Sequence, residues 1–371
     1  MEKINYEIDF LPVGNGDKSG DAIAIRYGTS DNYKIMVVDG GTKESGQQLV
    51  KHIRKYYETE FVDYVVNTHP DQDHASGLTE VLQNLKIGEL WLHRPWLYVE
   101  QIIRYVENPN TEFRLDKRTT INSIQNRFSN EYYKYAKELE NIAKQKNIII
   151  KEPYQGEMIG AFCVLSPNKN WYLYDLIPNS DKTSEISVED SMIKENSFVS
   201  ISKKILFNIF EAFNKETLKE GGVTSRENES SVILYTQFNG DGILLTGDAG
   251  REALSQAYNF AKSYNVNIAD NLRFIQIPHH GSRRNVSPET LNKIIGNIGK
   301  KKTNSITAFV SAGENDTKHP RRVVTNAFIR RGCKVIATQG STKHHHSGMP
   351  SRESWTTAEP LPFFDKVESY E

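Results

Sequence analysis

The sequence predicts a layered α/β fold on three observations. Short apolar runs with strand-like alternation recur along most of the chain, punctuated by Gly, Asp and Asn. Amphipathic and polar stretches of helical character lie between several of them. The third observation is placement: a dense group of His and Asp follows directly on an apolar run, and ligands clustered at a strand end are the usual site geometry of layered α/β folds.

Segments 4–10, 22–27 and 35–38 read as successive strands, with glycine and aspartate in the gaps. A helix is expected over 46–60, followed by an apolar strand at 61–66 that delivers the chain into THPDQDHASGL at 68–78. From about residue 94 to 226 the character changes. Runs rich in Glu, Lys, Asn, Tyr and Ile look helical, interrupted by strand candidates at 148–150 and 161–165. The polar stretch 166–195, with Pro167 and Pro178, reads as a surface loop of limited order. Strand patterning resumes at 231–238 and 242–246, a hairpin turning at NGDG, and continues at 274–277, 305–310 and 334–338. The expected organisation is a core of 1–93 and 227–347, a partly helical insertion at 94–226, and a tail at 348–371, packed or mobile.

The length of 371 residues exceeds a typical domain of about 100 to 200. One elaborated core with an insertion fits it. Hydrophobic residues at 37%, with 16 Phe, 18 Tyr and 4 Trp, supply enough apolar surface for a sizeable core and exclude a wholly disordered chain. Cys163 and Cys333 are too few for a disulfide scaffold and have no CxxC spacing. No run of about 18 apolar residues occurs, and MEKINYEIDF lacks the regions of a secretory signal. A cytoplasmic location without membrane association is the expectation.

In His69-Pro70-Asp71-Gln72-Asp73-His74, four ligand-type side chains fall within six positions. Imidazole and carboxylate suit Zn, Mn or Fe, and a tight loop can direct alternate side chains at two ions about 3.5 to 4 Å apart. A solvated polar turn is the competing reading. Asp248 follows LLTG after a strand and His279-His280 follow FIQIP, so both can close over the same sheet edge. Alone, Asp248 would be a turn or cap residue; position at a strand end makes it the natural bridge between two ions.

Further motifs run in order: an early VGNGD or SGDA turn at 13–22, VVDGG at 37–41, ESSVILY at 229–235, LLTGDAG at 244–250, IPHHGS at 277–282, SAGENDTKHP at 311–320 and TQGS at 338–341. With THPDQDH they make a series that resembles the metallo-β-lactamase superfamily, in particular the soluble hydrolase domain of ComEC/Rec2-type DNA-uptake proteins. The resemblance covers both ends of the chain and leaves out the middle. It implies an αββα sandwich of two mixed sheets with helices outside and two divalent ions at one sheet edge. It assigns His69, Asp71, Asp73, His74, Asp248 and His280 as ligands, with His279 the alternative to His280. The commoner motif has histidine where this chain has Asp71; the DNA-uptake branch resembles this chain in using aspartate, and the oxygen-rich set tilts the metal from Zn toward Mn.

Many superfamily members place a histidine ligand between the first motif and the bridging aspartate, yet His93 is the single histidine in 75–247. It is a candidate ligand or substrate contact, against a packed histidine at the insertion boundary. Asp39, flanked by Gly40 and Gly41, is expected to orient a ligand histidine rather than bind metal, and Asp17 or Asp21 to play a similar supporting part.

The formal net charge of -1 is a cancellation. Residues 279–343 hold 13 Lys+Arg against 3 Asp+Glu, a local +10, and the remainder carries -11. Arg283, Arg284 and Ser282 are candidate substrate-binding groups beside the histidine motif, rated with Lys318 above Lys300 to Lys302. The run His344 to His346 is a candidate for adventitious metal binding or for phosphate donors near the mouth.

The expected function is metal-dependent phosphodiester hydrolysis of nucleic acid or a nucleotide derivative by a metal-bound hydroxide. Asp73 would orient or deprotonate the water, and His319 or Lys318 would stabilise the leaving oxygen. One alternative is a small-molecule ester, lactone or amide hydrolase with an apolar pocket from Trp91, Trp96 and Tyr98. The other is a metal-stabilised binding component whose 94–226 segment engages a protein partner.

Overall fold

The computed structural model describes residues 2–16, 19–108, 110, 121–122, 128, 133–180, 209–299 and 305–369. Asp17, Lys300 to Lys302 and the 181–195 part of the expected polar loop lie outside these residues.

The first sheet is built from β1 (Asn5–Phe10), β2 (Ala22–Thr29), β3 (Asn32–Gly40), β4 (Phe61–Val66), β5 (Lys86–Trp91) and β6 (Ile149–Lys151). The second takes β7 (Met158–Ile159), β8 (Phe162–Ser166), then, after the short β9 (Ile209–Phe210), β10 (Ile233–Phe238), β11 (Asp241–Leu245), β12 (Leu272–Gln276), β13 (Ile306–Val310) and β14 (Cys333–Ala337). β15 (Lys343–Ser347) returns to the first sheet, and β16 (Lys366–Val367) pairs with β9. The sheet orders are β15-β1-β2-β3-β4-β5-β6 and β14-β13-β12-β11-β10-β8-β7. Each is antiparallel toward one side and parallel toward the other, β3 to β6 in the first and β11 to β14 in the second. The stretch 94–226 thus supplies β6 at the edge of one sheet and β7 with β8 at the edge of the other.

Three apolar layers show how the sheets and helices stack. Between the sheets lie Ile8, Phe10, Met36 and Val66 from the first and Leu234, Ile243, Phe274 and Phe309 from the second. Phe10, Phe274 and Phe309 meet with ring centroids 5.1 to 5.8 Å apart, the tilted and edge-on geometry that aromatic quadrupoles favour. On the outer face of the first sheet, Leu49, Leu78, Leu82 and Leu139 pack helices Lys43–His52, Leu78–Asn84 and Lys134–Gln145. The second sheet's outer face takes helices Arg251–Ser263, Pro288–Ile294 and Arg322–Arg330 through Leu254, Leu291 and Phe328. This is the expected four-layer αββα sandwich.

The β10–β11 hairpin turns at Asn239 and Gly240, both at positive φ, so two residues suffice to reverse the chain with the twist the strands need. The expected helix over 46–60 is shorter and starts earlier. Thr42 caps Lys43–His52 by accepting from the Ser45 amide, a wider turn of π type follows at Ile53–Tyr57, and left-handed Glu58 ends it.

The expected surface loop at 166–195 is corrected over its described part. Trp171, Tyr172, Leu173, Leu176 and Ile177 are buried, because a polar stretch interleaved with large apolar residues can turn them all inward when it winds as Lys169–Trp171 and the π-type turn Tyr172–Leu176 do. His344 to His346 form the edge strand β15, and His344 joins Glu7 and Asp9 in a group able to hold a metal ion. His345 faces the inter-sheet core against Phe274 at 5.0 Å, while His344 bonds Asp9 at 2.8 Å on the opposite face. The tail beyond 348 packs over its described length. Arg352 bonds both Asp9 oxygens and Glu7, and the Glu368 carboxylate accepts from the Arg322 and Val323 amides at the start of Arg322–Arg330.

The basic segment is not one exposed face. Arg330 and Arg331 are each 2% exposed. Arg330 pairs with Glu211 at 3.3 Å, and Arg331 with Glu216 at 2.7 Å. Removing one partner of a buried pair strands the other charge, so Glu211→Ala is expected to cost about 3–5 kcal/mol. Urea unfolding of the variant measures it; a loss near zero would show that Arg330 is satisfied by its carbonyl partners at 212, 213 and 215 alone.

Candidate metal centre

Parallel strands all release their loops at the same end, and here the carboxyl ends of β3, β4, β11, β12 and β13 converge on one edge of the sandwich. Asp39 closes β3 in a left-handed conformation, φ 55°, and is fully buried. Its carboxylate accepts from the Thr68 amide at 2.8 Å, the Thr68 hydroxyl at 2.6 Å and His74 Nδ1 at 2.8 Å. A carboxylate can only accept here, so Nδ1 of His74 carries a proton and Nε2 is the nitrogen turned to the centre. With the Thr68 hydroxyl donating to Asp39, its oxygen accepts from His69 Nδ1 at 3.0 Å, which frees His69 Nε2 in the same way. His280 Nδ1 donates to the Ser311 carbonyl at 3.1 Å, again leaving Nε2 as the open position.

The freed atoms meet around Asp248. Its Oδ2 lies 3.5 Å from His74 Nε2, 3.8 Å from His69 Nε2 and 3.9 Å from His279 Nε2. Asp71 Oδ2 stands 3.6 Å from His69 Nε2. Ligand atoms of Asp73, His74 and His280 lie within 4.8 Å of one another, as do those of Asp21, His74 and Asp248. His69 Nε2, His74 Nε2 and Asp248 Oδ1 are buried with no hydrogen-bond partner. Buried polar atoms are rarely left so, and divalent cations satisfy this donor set of imidazole nitrogens and carboxylate oxygens. The residues present therefore fit divalent-cation binding, and two ions would divide them into His69, Asp71 and Asp248 on one side and Asp73, His74 and His280 on the other.

Asp21 is the supporting residue of the early turn. It accepts from Gln276 Nε2 at 2.8 Å and from the Ser311 hydroxyl at 2.5 Å, tying the first strand pair to β12 and β13. Gly20 beside it has no room for a side chain, since a Cβ would sit 2.0 Å from the Asp73 carbonyl oxygen. Burial pushes the Asp21 carboxyl up to about 7, with Asp248 adding to it against the pull of His74. Burial also raises Asp73. At Asp248 burial is outweighed by His74, which holds that carboxyl well below its usual range. His74 moves the other way: against burial, Asp248 and Asp39 raise its pKa well above the ordinary histidine value.

Not every expected residue joins the centre. His93 is packed between Tyr172, at 4.3 Å, and Tyr154, at 4.9 Å, and belongs to no ligand group among the described residues. Burial pushes its pKa down to about 3, keeping it neutral. Arg283 donates to the Ser369 carbonyl at 2.6 Å, so the tail takes at least one of its donors. The Ser282 hydroxyl accepts from the Arg284 amide at 3.4 Å, a local turn bond. His319 Nδ1 is held by Asp316 at 3.1 Å, and the Lys318 amide bonds the other Asp316 oxygen at 2.7 Å. Gly281 packs directly under Pro320, which sets this segment beside the His280 loop.

The sequence marks no role for several supporting residues, although Ser231 lies within the ESSVILY motif. Ser231 Oγ contacts His69 Nδ1 at 3.4 Å and accepts from the Asp248 amide at 3.2 Å. Gln276 accepts from the Thr246 and Gly247 amides, at 2.9 and 3.0 Å, and so shapes the turn into Asp248. Asn228 holds His279 Nδ1 at 2.7 Å. Their one common mark is position next to a strand end, which neutral polar residues share with ordinary loops.

Because Asp248 and Asp39 raise the His74 pKa against burial, a proton competes with an incoming cation for Nε2. Apparent metal affinity is therefore expected to rise with pH through the neutral range, with net proton release on binding. Calorimetric titration with Mn2+ in two buffers of different ionisation enthalpy reads the proton count. A count of zero throughout the neutral range would contradict that competition.

The chain matches the pattern of the metallo-beta-lactamase superfamily over residues 16–294. ComE operon protein 3 of Bacillus subtilis (strain 168) is 25% identical over 113 residues, which make up 30% of this chain and 13% of that protein. Among solved structures, the hydrolase AbOPH is similar at 10% identity and a TM-score of 0.33, over 74% of this chain and 87% of its own. The metallo-beta-lactamase SMB-1 is similar at 10% identity and a TM-score of 0.32, over 78% and 86%. With ligand-bearing loops at the shared edge of two stacked mixed sheets, and a match that runs through most of its length, this chain belongs to the metallo-β-lactamase superfamily.

Proposed function

We propose that this superfamily hydrolase acts on phosphodiesters, with nucleic acid or a nucleotide derivative as substrate. The observation that carries the proposal is the donor set: Asp71, Asp73 and Asp248 stand with His69, His74 and His280, an oxygen-rich group beside the Arg283–Arg284 and Lys318–His319 turns. Hard oxygen donors suit ions such as Mn, which pair well with phosphate oxygens. Bound divalent ions would supply Lewis-acid polarisation of a nonbridging oxygen and a lowered pKa for a water at the centre.

The chain's own groups do the rest. Asp39 and Thr68 lock the two early imidazoles so that no reorganisation is needed as the reaction proceeds. Asp73 orients the attacking water and accepts its proton. His319, steered by Asp316 at Nδ1, offers Nε2 to the departing oxygen. Arg284 and Lys318, in the segments next to His280 and Pro320, would offer positive charge to the phosphate, and Arg283 would join them on release from Ser369. The aromatic groups that a small-ester pocket would need are engaged elsewhere: Trp91 is 2% exposed, Trp96 Nε1 donates to Glu140 at 2.9 Å, and Tyr98 donates to Glu152 at 2.6 Å.

Asp73→Ala and Asp248→Asn are each expected to lower kcat/KM on bis-p-nitrophenyl phosphate by about 100-fold or more, and a chelator should abolish turnover until Mn2+ is restored. Affinity for DNA should fall steeply as salt rises, as neutralised phosphates regain counterions. A folded, metal-loaded sample that cleaves neither single-stranded DNA, duplex DNA, RNA nor the phosphodiester, yet hydrolyses a thioester or lactone, would overturn the proposal.

A further inference from the structure

The superfamily position that many members fill with a mid-chain histidine is empty of one here, since His93 is packed away from the centre. His69, Asp71 and Asp248 give one ion only the minimum of three protein ligands, and a bridging Asp248 would be shared with the other ion. The structure offers a compensating residue. His279 and His280 are consecutive, and both adopt left-handed backbone, with φ of 45° and 55°. Two adjacent non-glycine residues in that region cost strain, and the strain has a geometric result. Instead of pointing to opposite sides of an extended chain, the two imidazoles reach one centre, His279 beside Asp248 and His280 beside Asp73 and His74, with their rings 5.6 Å apart and nearly perpendicular. His279 Nε2 lies 3.9 Å from Asp248 Oδ2, as His69 Nε2 does at 3.8 Å.

The far side of the His279 ring is held as a ligand's would be. Asn228, 6% exposed, contacts Nδ1 at 2.7 Å and Thr224 Oγ1 at 3.4 Å. The atom placed there is the amide nitrogen, which donates to Thr224 Oγ1; rotating the amide by 180° puts its carbonyl oxygen in the same place, where it accepts from Nδ1–H and from the Thr224 hydroxyl and leaves Nε2 of His279 as a lone pair toward Asp248. Asn228 is itself fixed by the short turn Arg226–Glu229, which Ser225 caps by accepting from the Asn228 amide at 3.1 Å.

Resting on the two-ion reading above, we propose that His279 is a ligand in its own right, in addition to His280. It would complete the Asp248 and His69 ion in place of the missing mid-chain histidine, with Asn228 as the positioning residue that sets its tautomer. The commoner assignment of one late histidine would leave His279 as a partly exposed neighbour whose loss costs no metal.

The test loads chelator-stripped protein with Mn2+, and separately Zn2+, and counts ions per chain by mass spectrometry after gel filtration. Wild type is expected to hold two. His279→Gln, which keeps much of the side chain's bulk, should hold one firmly and lose about 10-fold or more in affinity for the other. Asn228→Ala should weaken the same ion by about 10- to 100-fold, the usual cost of losing a partner behind a ligand histidine, while Asn228→Asp, which keeps an acceptor for Nδ1–H, should restore it. In the Co2+-substituted protein, visible absorption should change in His279→Gln and be regained in Asn228→Asp relative to Asn228→Ala. Far-UV circular dichroism confirms that each variant is folded. Two firmly held ions and an unchanged Co2+ spectrum in His279→Gln would overturn the inference and leave the hydrolase proposal standing. A wild type that holds no ion would overturn both.

Discussion

The Asp39 carboxylate is the constraint on which the centre depends. One buried side chain accepts from the Thr68 amide, the Thr68 hydroxyl and His74, and through Thr68 it also orients His69. Those contacts bind the end of β3 to the loop after β4, so that strand pairing inside the first sheet becomes ligand geometry outside it. The left-handed backbone at Asp39 is what turns the carboxylate under the loop instead of along the strand. Around this point the glycines make space: a Cβ on Gly77 would lie 1.9 Å from the Gly40 carbonyl oxygen, so the ligand helix and the β3 turn approach closer than any other residue would allow.

The electrostatics of the centre follow from crowding carboxylates and imidazoles into a volume with little water. Asp21 and Asp73 are pushed toward the neutral form by burial, while Asp248 keeps its charge because His74 stands against it. His280, with its pKa pushed down to about 3 by burial, is a neutral donor ready for a cation. The same cluster that is frustrated without an ion becomes complementary with one, and this ties metal binding to proton release.

The charge asymmetry of the chain has two physical destinations. Part of the basic segment is internal, with Arg330 and Arg331 neutralised by Glu211 and Glu216 from the acidic remainder. Arg283 and Arg284 instead follow the histidine loop, and Lys318 and His319 precede Pro320, which packs on Gly281. The tail adds a link between the two sheets, since Arg352 is anchored on Glu7 and Asp9 of β1 while Glu368 caps the helix Arg322–Arg330 on the other side.

By itself the sequence determined the layered α/β architecture, a hairpin turning at NGDG and the cluster from His69 to His74, because each is written in local spacing: alternation, turn chemistry, and ligand types packed after an apolar run. The order of further motifs also brought Asp248 and His280 into view. Tertiary structure decided what depends on contacts between distant segments. It turned His93 into a packed ring, drew His344 to His346 into an edge strand, and folded Trp171 to Ile177 into the core. It also recruited Asn228, Ser231, Gln276 and Ser311 as supports. Neutral polar residues carry no charge, periodicity or spacing that marks them, and they acquire a role only when another strand end brings them a partner.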